Sequence, residues 1–207
     1  MRATKRATKP HLLALASSAL LAAFAAGCAP ETSTTHVFSA ELSERPQLAT
    51  LLVIGVAPGV VDRRELEDKL CDELAKRGVM ARPSYALFPE GVPSGETARN
   101  AAAQAGLDGI LTSRVRLVEQ RARYIPATET YFAGFEHGTY TRSSKGYYRN
   151  EEVAEFETTL LETKDGKQLW SATTRTVNPK EGNGFAGSLA KEVVPEMQKA
   201  GFVAPER

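Results

Sequence analysis

TLLVIGVA, Thr50 to Ala57, is a continuous apolar run rich in β-branched residues and closed by Pro58-Gly59. A strand with one wet face would show a polar residue at every second place. This run shows none after Thr50, so it reads as a strand buried on both faces at the centre of a sheet. Just beyond it, Val61-Asp62-Arg63-Arg64-Glu65-Leu66 combines an Asp N-cap, a Glu three residues on and a Val/Leu staple, which predicts a helix start. Leu66, Leu70 and Leu74 mark the apolar stripe of that helix and Gly78 its left-handed stop. Its charged residues read as a solvated outer face.

Outward from this unit the pattern continues as strand, helix, strand. Val79 to Tyr85 is a short second strand, placed at an edge by Pro83. A loop over Phe88 to Gly95 leads to a second helix, about Glu96 to Ala105, with Ala98, Ala101, Ala102 and Ala105 as its inward face. After Asp108-Gly109, the segment ILTSRVRLV alternates Leu111, Ser113, Val115 and Leu117 with Thr112, Arg114 and Arg116, a third strand with one wetter face. Glu151 to Thr163 and Gln168 to Val177 alternate again, and Asp165-Gly166 between them is a hairpin turn signal. Phe185, Leu189, Val193 and Met197 then recur at helical spacing up to Gly201, with Pro195 expected to kink or restart that helix. The order β-α-β-α-β-β-β-α with right-handed crossovers predicts an α/β domain over residues 48–207: three helices and a five-stranded mixed sheet of spatial order 2-1-3-4-5.

Between the third and fourth strands, residues 119–150 break every period. They hold five of the six tyrosines and five basic residues against three acidic ones. An excursion this long inside one domain is functional, or folds back as an irregular ribbon over its own sheet. Tyr and Arg bring large contact area with a polar tip, as interface hot spots do. Tyr124, Tyr131, Phe132, Tyr140, Tyr147 and Tyr148 are therefore the candidate partner contacts.

The N-terminus sets the compartment. Arg2, Lys5, Arg6 and Lys9 precede the apolar run LLALASSALLAAFAAGC, Leu12 to Cys28, which is short for a membrane span. Ala25-Ala26-Gly27-Cys28 resembles a bacterial lipobox, although Ala25 stands where that motif prefers Leu. The resemblance implies a signal peptide over residues 1–27, removed before a Cys28 that is acylated, with palmitate among its chains. Ala29 in place of Asp implies the outer membrane, with the domain facing the periplasm. Residues 28–47, polar with scattered Pro and Ser, read as a flexible tether on which Val37-Phe38 could dock.

Loss of residues 1–27 leaves 22 basic against 25 acidic residues, about −3, which is not a nucleic-acid binder's balance. Acylation of Cys28 leaves Cys71 as the remaining thiol, so no intramolecular disulfide can form. On its helical pattern Cys71 reads as a small residue near a buried face.

Catalytic patterns are weak throughout. Gly182-Asn183-Gly184-Phe185-Ala186-Gly187 fits GxGxxG, but no strand and acidic residue follow to complete a dinucleotide unit, so it reads as a loop capping the last helix. His36 and His137 lack metal-ligand spacing, even with Glu136 beside the latter, and no GxSxG elbow surrounds Ser113 or Ser171. Glu151, Glu152, Glu155 and Glu157 alternate as a solvated strand face would. No catalytic, cofactor or metal residue is assigned, and a non-enzyme is expected.

LLVIGVA-P, RRELEDKLCDELAKRGV, GLDGILTSRV and LETKDGKQLWSATTRT together resemble a group of small periplasm-facing lipoproteins that includes the curli-secretion lipoprotein and the penicillin-binding-protein activator lipoprotein. The likeness spans about residues 50 to 201, and its motifs are structural. It implies a non-catalytic cell-envelope lipoprotein that binds or supports an envelope protein or polysaccharide machinery. Its expected partners are the membrane, through Cys28, and a protein or glycan, with no nucleic acid. An envelope hydrolase with a site assembled from distant residues, or a purely structural self-assembling lipoprotein, are the alternatives.

Overall fold

A computed structural model describes residues 31–41, 46–57, 60–134, 138–178 and 183–203, except the side chains of residues 31, 60–62, 117, 118, 130–142 and 183. The signal peptide and Cys28 lie outside the described residues, as do Glu136, His137 and Gly182.

TLLVIGV forms β2 (Thr50–Val56), buried along almost its whole length. Leu51 and Val53 enter one apolar layer and Leu52 and Ile54 the other, the two-faced burial that an unbroken apolar run implies. Parallel to it run β3 (Met80–Pro83) on one side and β4 (Gly109–Ile125) on the other. Antiparallel β7 (Tyr147–Glu162) and β8 (Gln168–Val177) extend the β4 side. The five expected strands thus stand in the expected relative order. A sixth, β1 (Glu31–Ser39), completes the sheet as β1-β8-β7-β4-β2-β3.

Helices α1 (Val60–Ala75) and α3 (Asn183–Lys199) pack on one face of the sheet, over Leu51, Val53, Leu111, Phe156, Leu160 and Trp170. The short α2 (Gly95–Gln104) covers Leu52, Ile54 and Ile110 on the other face with Ala98 and Ala102, and Ser94 caps it by accepting from the Thr97 N–H. Pro195 lies within α3, which continues through it as one helix. The parallel strands are tied at their start by Asp108, whose Oδ2 accepts from the Ala49 and Thr50 N–H groups (3.0 and 2.9 Å) and from Thr50 Oγ1 (2.9 Å).

Several expectations are corrected. The supposed tether, residues 28–47, contributes β1, antiparallel to β8, with Thr32 Oγ1 2.9 Å from Thr176 Oγ1 and Thr34 donating to Glu192 on α3 (2.8 Å). A threonine-rich edge strand is polar because one side meets water, which hides it from a hydrophobicity pattern.

The charged residues of α1 and of the turn after it are not uniformly solvated: Arg63, Glu67 and Glu73 on the helix and Arg77 just beyond it are buried. Glu67 Oε1 accepts from the Gly55 N–H (2.9 Å), Arg63 Nε (2.9 Å) and Ser84 Oγ (2.7 Å), while Oε2 accepts from the Tyr85 N–H (2.9 Å). Charge is tolerated there because every polar group of the cluster is paired. Helix α1 also begins at Val60, so Asp62 lies in its first turn and does not cap it.

The described residues of 119–150 are regular: β4 ends and β7 begins within them, and between these lie β5 (Thr128–Gly134) and β6 (Gly138–Ser144), paired with each other. With β1 the main sheet has six strands where five were expected, and β5 and β6 form a separate two-stranded ladder.

Cys71 is a free thiol on α1, half-buried against the core. Burial, then the nearby charges of Asp68, Glu67 and Asp72, push its pKa from 9.0 up to about 12. At pH 8 this leaves about a thousandfold less thiolate than an ordinary cysteine holds. Iodoacetamide is therefore expected to label native Cys28→Ala protein very slowly and to label it fast in urea. Rapid native labelling, read by mass spectrometry, would contradict the burial.

Candidate interaction surface

Past Glu119 and Val153 the β4–β7 ladder has lost its neighbours β2 and β8, whose pairings end at Arg114 and Val153. From Gln120–Glu152 to Ile125–Tyr147 it is a two-stranded arm that reaches roughly 20 Å beyond the sheet at 3.4 Å per residue.

A single β-bulge decides what the arm presents. The β4–β7 register shifts between Val115 and Leu117, leaving Arg116 as the extra residue. Before the bulge, odd-numbered residues of β4 (Leu111, Val115) face α1 and α3. After it the odd residues lie on the opposite face, beside the odd residues of β7. Arg121 therefore stands across from Glu151 and Arg123 across from Arg149, all four on one face of the arm.

There three guanidinium groups converge on one carboxylate. Arg149 Nη2 donates to Glu151 Oε1 (2.8 Å), Arg121 donates through Nε and Nη2 to Oε2 (3.3 and 3.2 Å), and Arg123 Nη1 lies 3.4 Å from Oε1. Glu151 is fully covered, by these arginines on a thin arm and not by a packed core. The hydrogen bond from Arg149 is the largest influence on its carboxyl; burial opposes it, and Arg121 and Arg123 reinforce it, so the pKa falls below the ordinary carboxylate value. Glu151 is thus no member of a solvated glutamate face, whereas Glu157 meets exposed Arg114 (3.2 Å) and Glu152 is exposed.

The lowered pKa gives a pH signature. Folded Glu151 holds its proton less tightly than in the unfolded chain, so the cluster's stabilisation is present above the ordinary carboxylate range and is lost as pH falls through the folded value. Amide exchange corrected for intrinsic rates is expected to accelerate in the arm below about pH 4.5 before it does so in β2. Simultaneous loss of protection in both would show that the cluster does not hold the arm.

The candidate tyrosines divide between the two faces. Tyr147, 55% exposed, lies on the arginine face. Tyr124 and Tyr148, 54% and 74% exposed, stand across from each other on the opposite face with ring centroids 5.1 Å apart. Tyr131, Phe132 and Tyr140 belong to β5 and β6, where Phe132 pairs with Tyr140 through the backbone; their side chains lie outside the described residues. The sequence points to none of Arg121, Arg123 and Arg149, and it reads Glu151 as solvated, whereas that carboxylate is buried. The basic excess of 119–150 was a signal, but not which carboxylate it surrounds.

The other candidates do not converge. His36 is exposed on β1, and no group of three or more metal-ligating side chains occurs among the described residues. Ser113 is buried, its hydroxyl 3.1 Å from Thr158 Oγ1, and Ser171 accepts from Gln168. Gly184 and Gly187 lie inside α3, where Phe185 packs on Phe156 at 4.3 Å. No described helix is long and apolar enough to cross a membrane.

No protein-family model and no curated protein matches the chain. Among solved structures it is similar to the PelC dodecamer from Paraburkholderia phytofirmans, with 13% identity over 82% of this chain and 97% of that one at a TM-score of 0.45. It is also similar to the lipoprotein GNA1162 from Neisseria meningitidis, with 16% identity over 73% of this chain and 99% of that one at a TM-score of 0.42.

Proposed function

We propose that this chain is a non-catalytic lipoprotein of the outer membrane, anchored through Cys28 and facing the periplasm, whose β-arm holds an envelope protein or glycan. The projecting arm carries this reading. An isolated two-stranded ribbon is marginally stable in water, yet here strands of 17 and 16 residues extend well past the sheet that supports them. The exposed Tyr124–Tyr148 pair sits near the far end of their ladder. Aromatic pairs of this kind gain most when a partner desolvates them. The basic leader and the Ala-Ala-Gly-Cys exit support the anchor.

The test is in vivo crosslinking from a photoreactive residue at position 148, with one at exposed position 103 on α2 as the control. Capture of a defined envelope component from 148 alone, abolished by Tyr124→Ser, is the expected result. Equal capture from both positions would remove the arm as the contact element.

A further inference from the structure

The strand register places the N-terminus of β1 at the base of the arm. Glu31 pairs with Val177, Val177 with Val153, and Val153 with Glu119, the row at which the sheet ends and the two-stranded arm begins. Two residues, Ala29 and Pro30, separate Cys28 from Glu31, and the three steps between them span at most about 11 Å. The row from β1 to β4 crosses three strand spacings, about 14 Å. The arm and the anchor point therefore leave the same end of the sheet. Because residues 31–39 are a strand of the domain, little free chain remains to hold that end away from the leaflet.

Around Glu151 the arm carries three arginines, with side chains 42%, 56% and 47% exposed for Arg121, Arg123 and Arg149. Guanidinium does not deprotonate in proteins, so three cations meet the carboxylate of Glu151 on this face, and residues 120–152 carry five basic against four acidic residues on a chain whose mature net charge is about −3. The arginine face is thus a locally cationic patch that meets an anionic surface although the chain as a whole is repelled by it. Arginine binds phosphate oxygens in bidentate fashion. On the same face exposed Tyr147 has the amphipathic ring that favours the headgroup level of a bilayer.

We propose that Arg121, Arg123 and Arg149 dock on the phosphate headgroups of anionic phospholipids in the leaflet that holds Cys28. The placement rests on the proposed anchoring. The arm then lies with its arginine face on the leaflet and leaves the Tyr124–Tyr148 face open to a partner. Glu151 is a positioning residue, which holds the three guanidinium groups together.

The experiment uses the mature chain, from position 28 onward with Cys28→Ala, so that neither an acyl chain nor the basic, apolar leader can drive binding, in co-flotation with vesicles. Flotation is expected with phosphatidylglycerol–phosphatidylethanolamine vesicles and not with phosphatidylcholine vesicles, and it is expected to fade as salt rises from about 50 to about 500 mM. Each basic residue near an anionic surface strengthens adsorption about fivefold, so adding Arg121→Gln, Arg123→Gln and Arg149→Gln is expected to weaken partitioning at least tenfold. The matching Arg→Lys triple variant, which keeps the charge, is expected to retain most of it and guards against a folding artefact. Absence of flotation in the parent, or flotation equal in the Gln variant, overturns the proposal. So does displacement by millimolar inorganic phosphate, which would mark a free-anion site, or stronger binding of soluble polygalacturonate than of the vesicles. Labelling of the native chain with a palmitate analogue tests the anchor separately. Labelled Cys28 without arginine-dependent flotation ends the headgroup proposal alone; an unlabelled chain ends the anchoring, and with it the placement at the leaflet.

Discussion

Glu67→Ala is expected to lower the free energy of unfolding by about 3–5 kcal/mol, because it removes one partner of a buried, hydrogen-bonded ion pair. The carboxylate joins three elements: the Gly55 N–H on β2, Arg63 on its own helix, and Ser84 with the Tyr85 N–H in the turn after β3. Without it, Arg63 keeps Ser84 Oγ (2.8 Å) and the Phe88 carbonyl (3.2 Å), but its charge stays buried with no counter-ion in this cluster. Domains of this kind have about 5–15 kcal/mol to lose. Urea denaturation at an unchanged slope is the measurement. Glu67→Gln keeps an acceptor for some of these donors and is expected to cost less, about 1–3 kcal/mol. A cost below about 1 kcal/mol for Glu67→Ala would mean that water reaches the site and that the pair is not effectively buried.

Trp170→Ala is expected to cost a further large amount, about 3–5 kcal/mol, as fully buried aromatic truncations do. Trp170 is inaccessible to solvent, stands across from Leu160 on β7, and fills the layer beneath α1 and α3. Its Nε1 finds no hydrogen-bond acceptor among the described residues. A buried donor without a partner costs about 1–3 kcal/mol, so Trp170→Phe deletes an unfavourable group together with favourable volume. That variant is expected to lose only about 1–2 kcal/mol by the partial offset. It is the chain's single tryptophan, so unfolding is followed by circular dichroism. Equal losses for Phe and Ala would show that the indole N–H does have a partner.

The two sites differ in how far the sequence exposed them. Trp170 lies on an alternating strand after an Asp-Gly turn, where period and composition agree. Glu67 sits on a helix amid charged neighbours and reads as solvated. Its burial depends on the turn that brings Ser84 and Tyr85 over α1, a contact between residues 17 and 18 positions apart. The arm separates in the same way. Its tyrosines and its basic excess are visible in composition, but its strands are long and polar, and no alternation survives when both faces of a ribbon meet water.

From the sequence alone came the elements with a strong internal period: the apolar β2, the Leu66–Leu70–Leu74 helix, the β7–β8 hairpin and α3. The relative order of five strands followed from crossover handedness. These are local decisions, made by burial of one residue type at one spacing. Tertiary structure alone decided the edge strand β1, whose threonines gain order only against β8, and the charge cluster on the arm. The bulge at Arg116 inserts one residue, and that insertion turns Arg121 and Arg123 to the face that carries Glu151 and Arg149. A one-residue change of register leaves almost no trace in composition or period. It exists as a relation between two strands about thirty residues apart, and so it is settled only when they pair.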